Sequence, residues 1–188
     1  MKSVRLLAVA ILLAGAVLCA GADGAGGTFL GYYVGEHPLV ERLHIPSSGL
    51  DLMYFGGYGY GVGRHGTVNG GFGLTFLDTV GTSRVAGGIG GVIAGFRLLR
   101  LPLHVAIVSW TGVGGIYTGL VGPSPNRGFF VGFEEIDLEI GLPIARWFMP
   151  ALYVGYQAMG NLIPGVPFQD SLIYSPVAGV RLAWGSFR

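Results

Sequence analysis

Charge is the scarcest property of this chain. Only 11% of its residues are Asp, Glu, Lys or Arg, against about a quarter in soluble domains. A soluble domain covers itself with such groups, so an exterior this poor in charge points to lipid as its solvent. The one lysine is Lys2 and the one cysteine is Cys19. No disulfide framework is open to the chain, and stability has to come from backbone ladders and packing. Clustered Lys and Arg are missing, which excludes a nucleic-acid surface. The histidines His37, His44, His65 and His104 show no metal-ligand spacing, so neither a metal nor a cofactor is expected.

What is abundant is glycine, with 36 residues, set among Val, Ile, Phe and Tyr in a chain that is 51% hydrophobic. Strict collagen period is absent, and the large apolar residues argue against disorder. The mean hydropathy is +0.60.

The first 22 residues have the layout of a secretory signal peptide. Lys2 and Arg5 are its basic start, Leu6 to Leu18 its apolar stretch, and Ala20-Gly21-Ala22 its cleavage site. The apolar stretch is short for a membrane span of roughly 20 residues. A mature domain over 23–188 then has nine Arg against ten acidic residues.

Within that domain apolar residues alternate with glycine and polar residues. In Thr67 to Asp78, Val68, Phe72, Leu74 and Phe76 share one parity, and Asn69, Gly71, Gly73 and Thr75 share the other. Successive side chains of a strand point to opposite faces, so the run has a greasy face and a small face. The greasy parity is read as outward and the small residues as filling a narrow interior. Eight such strands are predicted, at 28–35, 49–63, 67–80, 84–99, 103–117, 128–142, 148–161 and 172–187. Connections alternate between long (36–48, 118–127, 162–171) and short, with Gly81 to Ser83 the exception. The pattern predicts an all-β, antiparallel, up-and-down transmembrane barrel with short periplasmic turns and longer outer loops. Closure is required because an unpaired backbone group in lipid costs several kcal/mol. Two other architectures compete. Leu101 to Asn126 carries no full charge, which keeps a helical inner-membrane protein open. A soluble periplasmic β-sandwich is the other.

The last strand carries a resemblance. Gly179, Leu182, Trp184 and Phe187 follow the spacing of the C-terminal signal that barrel-assembly machinery reads in outer-membrane proteins, with Arg188 and Pro176 as departures. With its signal peptide, the chain resembles the small eight-stranded outer-membrane barrels of diderm bacteria, including Gly- and aromatic-rich ones without assigned activity. The resemblance implies an outer-membrane location, contact with outer-membrane lipids and the assembly machinery, and a non-enzymatic role in envelope structure or surface interaction. It names no ligand.

Glu135, Asp137 and Glu139 form an acidic ladder, with Ile136, Leu138 and Ile140 opposite. The three carboxylates therefore share one face, expected to be the lumen, and buried carboxylates need partners. Arg181 is the expected partner, with Arg97 as a second. Together with Asp51 and Gln157 these residues are read as a luminal polar network that fixes register. A narrow binding or transport lumen is the alternative role. Tyr54, Tyr58, Tyr60, Trp110, Trp147, Tyr153, Tyr156 and Trp184 are read as packing groups and interface girdles. Gly61 to Gly66 matches G-x-G-x-x-G, yet no helix follows to hold a phosphate, so it reads as a hairpin. His104, Ser109 and Glu139 invite a third reading, a lipid-modifying barrel enzyme, but His104 and Ser109 differ in parity.

Overall fold

The computed structural model describes residues 24–34, 53–80, 83–99, 102–120, 127–162 and 173–187. They form eight strands: β1 (Gly24–Tyr33), β2 (Met53–Val62), β3 (Thr67–Val80), β4 (Ser83–Leu99), β5 (His104–Leu120), β6 (Arg127–Gly141), β7 (Phe148–Asn161) and β8 (Ile173–Gly185). Every strand pairs antiparallel with the next, and β8 returns to β1, so the sheet is a closed up-and-down barrel. Full closure leaves no edge for another chain to extend. Residues 1–22, the segment 36–48, Asp51, and residues 121–126 and 163–171 of the other long connections lie outside the described residues.

β1 begins at Gly24, four residues before the expected start. Gly24, Gly26 and Gly27 carry no side chains to reveal an alternation, but their backbones pair all the same. Gly27 is opposite Tyr58 on one side and Ala183 on the other. Ladder hydrogen bonds belong to the backbone, so a segment without side chains closes the seam as well as any other.

The G-x-G-x-x-G segment is a hairpin turn. Gly66 N–H donates to Gly63 O at 3.0 Å, and Gly63 N–H donates to Thr67 O at 2.7 Å. Gly66 has φ +82°, a conformation that costs glycine little and other residues more.

The two halves of the wall use their faces differently. On β6, β7 and β8 the outward reading of the apolar parity holds. Ile136, Leu138, Ile140, Leu152, Val154, Val180 and Leu182 are exposed on the outside. On β2 and β3 it does not hold. Tyr54, Tyr58, Tyr60, Val68, Phe72, Leu74 and Phe76 are buried in the lumen, and Gly61, Asn69, Gly71 and Gly73 face out. The reason is space. The lumen-facing positions opposite include Gly27, Gly31, Gly155, Gly179 and Ala183, which leave a void that only large rings from the facing wall can fill. Interiors are packed to crystal-like density, and an unfilled cavity destabilises.

Two glycines show how tight this fit is. A Cβ added at Gly31 would run into the Tyr54 ring and the Tyr153 hydroxyl, and one at Gly179 into Tyr153 and the Leu30 carbonyl. A Cβ at Gly73 would meet nothing within 4 Å. Gly31→Val is therefore expected to cost about 1–3 kcal/mol through overpacking. Gly73→Ala is expected to stay within about 0.5 kcal/mol of the parent. Urea midpoints of the two variants measure this directly, and equal midpoints would count against the packing argument.

Candidate functional site

Strand alternation brings Glu135, Asp137 and Glu139 to the inner face of β6, each nearly inaccessible. β7 contributes Gln157 opposite Glu135, and Tyr153 opposite Glu139. β8 contributes Arg181, whose exposure is 1%. Arg181 Nη1 donates to Glu139 Oε2 at 2.7 Å and Nη2 donates to Asp137 Oδ2. The same Nη2 lies 3.8 Å from Glu135 Oε1. One guanidinium thus faces all three acids. Its planar fork of donors suits such multiple pairing better than a lysine would.

Two aromatic rings lie against this cation. The guanidinium carbon is 3.9 Å from the Tyr153 ring centroid and 4.4 Å from that of Trp110. A cation over a ring face is attracted by the ring quadrupole, most strongly where water is excluded.

A hydrogen-bonded chain extends the cluster. Tyr33 Oη donates to Gln157 Oε1 at 2.6 Å, and Gln157 Nε2 donates to Glu135 Oε2 at 2.9 Å. Tyr54 Oη donates to the same carboxylate oxygen at 2.9 Å and accepts from Tyr153 Oη at 3.1 Å. At the other end His104 Nε2 stands 3.3 Å from Glu139 Oε1. β1, β2, β5, β6, β7 and β8 are thereby tied together across the lumen. β3 and β4 meet it with apolar side chains, among them Phe72, Leu74, Phe76, Val85, Ile89 and Ile93.

Arg181 reaches the acidic ladder, but no ion pair joins Arg97 to it among the described residues. Sequence reasoning missed Tyr33, Tyr54, Tyr153 and His104 as partners of the ladder. Their parity was legible, but their register against β6 was not. Tyr54 lies on a strand that does not neighbour β6, and only closure brings the two together. His104 bonds inside the barrel, whereas Ser109 faces outward, so the two share no site. Among the described residues no group of three or more His, Cys, Asp or Glu side chains is arranged so that it could hold a metal ion.

Of the last-strand residues, Leu182 and Trp184 face outward and Gly179 inward. Phe187 leaves the strand and packs against the interior, with its N–H donating to Arg146 O at 3.1 Å. Trp147, Tyr156 and Trp184 stand on the outside, unlike Tyr54, Tyr58, Tyr60, Trp110 and Tyr153.

Chemically the arrangement is a plug. Charges and rings occupy the middle of the barrel, and the carboxylate oxygens are largely engaged. Among the described residues, buried side-chain atoms without a hydrogen-bond partner include Tyr58 Oη, Tyr60 Oη, Trp110 Nε1, Asp137 Oδ1 and Arg181 Nε. Nearly all belong to the cluster or the rings around it, the surroundings in which internal water is held.

No protein-family model matches the chain, and neither does any curated protein. Function has to be read from the geometry.

Proposed function

We propose that this protein is an integral outer-membrane barrel of a diderm bacterium. Its sealed lumen serves stability rather than passage, and its role is non-enzymatic: anchoring in the envelope and presenting segment 36–48 and the connections from β5 to β6 and from β7 to β8 at the surface. The observation that carries the reading is the outer face of β7 and β8. Trp147, Phe148 and Trp184 cluster at one end, with successive ring centroids 5.7 and 5.6 Å apart. Tyr156 and Tyr174 stack toward the other, at 6.2 Å. Between them Leu152, Val154, Val180 and Leu182 are exposed. On β8, Trp184 and Tyr174 are ten residues apart. At about 3.3 Å per residue and a tilt of about 40°, that separation is about 25 Å of height, the thickness of an outer-membrane apolar band. Water would not tolerate so broad an apolar surface on a monomer.

The plug supports a closed channel. An eight-stranded barrel is just wide enough for side chains to fill, and here they do so with rings and an ion cluster. The last strand, read by the assembly machinery before β8 closes on β1, completes the proposal.

Boiling-dependent migration on a gel, with a β-type circular dichroism spectrum that requires detergent or lipid, is the expected result for the purified protein. A β spectrum retained in detergent-free solution would sink the membrane assignment. In planar bilayers no steady conductance is expected. Discrete open levels would favour the transport reading over the structural one.

A further inference from the structure

Glu134 is the odd residue of β6. Its neighbour Glu135 points into the lumen, so Glu134 points out of the barrel. Among residues whose side chains are described, it is the only charged one on the outer face of a strand. It is not bare. Ser109 Oγ donates to its Oε1 at 2.5 Å, and Thr111 Oγ1 donates to its Oε2 at 2.5 Å. Both hydroxyls come from the outer face of β5, where Thr111 lies directly opposite Glu134.

The surroundings leave the carboxylate half-exposed, with the Leu162 side chain packed over neighbouring Gly132. Across to β7 its partner is Ala158, and the next outward pair is Gly132 with Gly160. No large side chain at these positions covers it. Further along the same row of paired residues stands Tyr174, opposite Ala158, and Tyr156 is stacked on it. Two strand spacings of about 4.8 Å at a tilt of about 40° set Glu134 about 6 Å inside the level of Tyr174, in the part of the apolar band next to the headgroups.

Each carboxylate oxygen accepts one hydrogen bond from a hydroxyl and has capacity for another. The site offers acceptors and one negative charge, and no described outward-facing strand residue supplies a cation to meet it. Its complement is a compact cation with N–H donors, presented from the headgroup layer.

We propose that Ser109, Thr111 and Glu134 form a headgroup site for a primary-amine lipid, phosphatidylethanolamine. The ammonium donates to the remaining lone pairs of Glu134, while Ser109 and Thr111 hold the carboxylate in one orientation. Choline lipids carry the same charge without an N–H and cannot make this bond. This inference rests on the membrane reading above.

The test is native mass spectrometry of the detergent-solubilised full chain, titrated with phosphatidylethanolamine or phosphatidylcholine of matched acyl chains. A charge-assisted hydrogen bond corresponds to about tenfold tighter retention of the ethanolamine lipid. Glu134→Gln is expected to retain the two lipids equally. It should do so without altering the boiling-dependent gel shift, because the side chain lies outside the lumen. Equal retention by the parent protein, or a preference that survives in Glu134→Gln, would overturn the site. Retention of neither lipid, by a protein that also shows no boiling-dependent shift, would instead strike at the membrane reading on which the site depends.

Discussion

Arg181→Leu is expected to destabilise the barrel by about 3–5 kcal/mol, the usual cost of removing one partner from a buried ion cluster. Three carboxylates are packed within the lumen, and among the described residues Arg181 is the only guanidinium that reaches them. Without it Glu135, Asp137 and Glu139 would face one another across a medium that screens poorly, with His104 alone beside Glu139. Leucine would also lose the contacts to the Trp110 and Tyr153 ring faces. Urea titration of the protein folded into lipid vesicles, followed by tryptophan fluorescence, measures the loss, and Trp110 reports it locally. Arg181→Lys should recover only part of the stability, since a point charge cannot serve Asp137 and Glu139 in fork geometry. Combining Arg181→Leu with Glu135→Gln, Asp137→Asn and Glu139→Gln should recover most of it, because no uncompensated charge remains. A quadruple variant as unstable as Arg181→Leu alone would show that ring packing, and not charge pairing, is what Arg181 supplies.

The second large effect lies on the opposite face of the wall. Leu152 is 65% exposed and pairs with Val180, midway between the two aromatic clusters of β7 and β8. In the proposed membrane setting Leu152→Arg puts a guanidinium in hydrocarbon and is expected to cost about 2–4 kcal/mol in vesicles. The size of the effect discriminates. At so exposed a site in a water-soluble barrel the same change would stay within about 0.5 kcal/mol. Arg146→Leu, on an exposed turn beside Trp147, serves as the control and should be near neutral. A Leu152→Arg midpoint matching the parent would remove the support that the outer surface lends to the membrane assignment.

The inverted faces of β2 and β3 show where sequence reading stops. Apolar alternation tells which residues share a face, because side-chain period in a strand is two. It tells which face is inside only when the outside is water. If both sides of a wall are apolar, the transfer of a ring from one to the other gains almost nothing, and the hydrophobic effect no longer chooses. Packing volume chooses instead. Tyr54 lies inside because Gly31 stands opposite with no side chain, and Tyr153 is accommodated by Gly179 in the same way. Such complementarity links residues more than twenty positions apart, and no local pattern carries it.

The acidic ladder was readable for the opposite reason. A carboxylate strongly prefers a pairing partner to an apolar surround, so the parity of Glu135, Asp137 and Glu139 placed them on one face without knowledge of the fold. Arg181 followed as the nearest chemical complement. Its ring partners did not, because Trp110 and Tyr153 sit on other strands and meet Arg181 only when the sheet closes.

The residues in order thus determined the eight strands, their antiparallel succession, the pairing of faces within β2, β3, β6, β7 and β8, and the need for a cation opposite three acids. These follow from backbone geometry and from the cost of unpaired charge, both of which act locally. Closure decided the rest: the seam from Gly24 onward, the aromatic filling on β2 and β3, and the hydrogen-bonded chain from Tyr33 to Glu135. Those features depend on how much space one wall leaves for the other, and that quantity does not exist until the ring is shut.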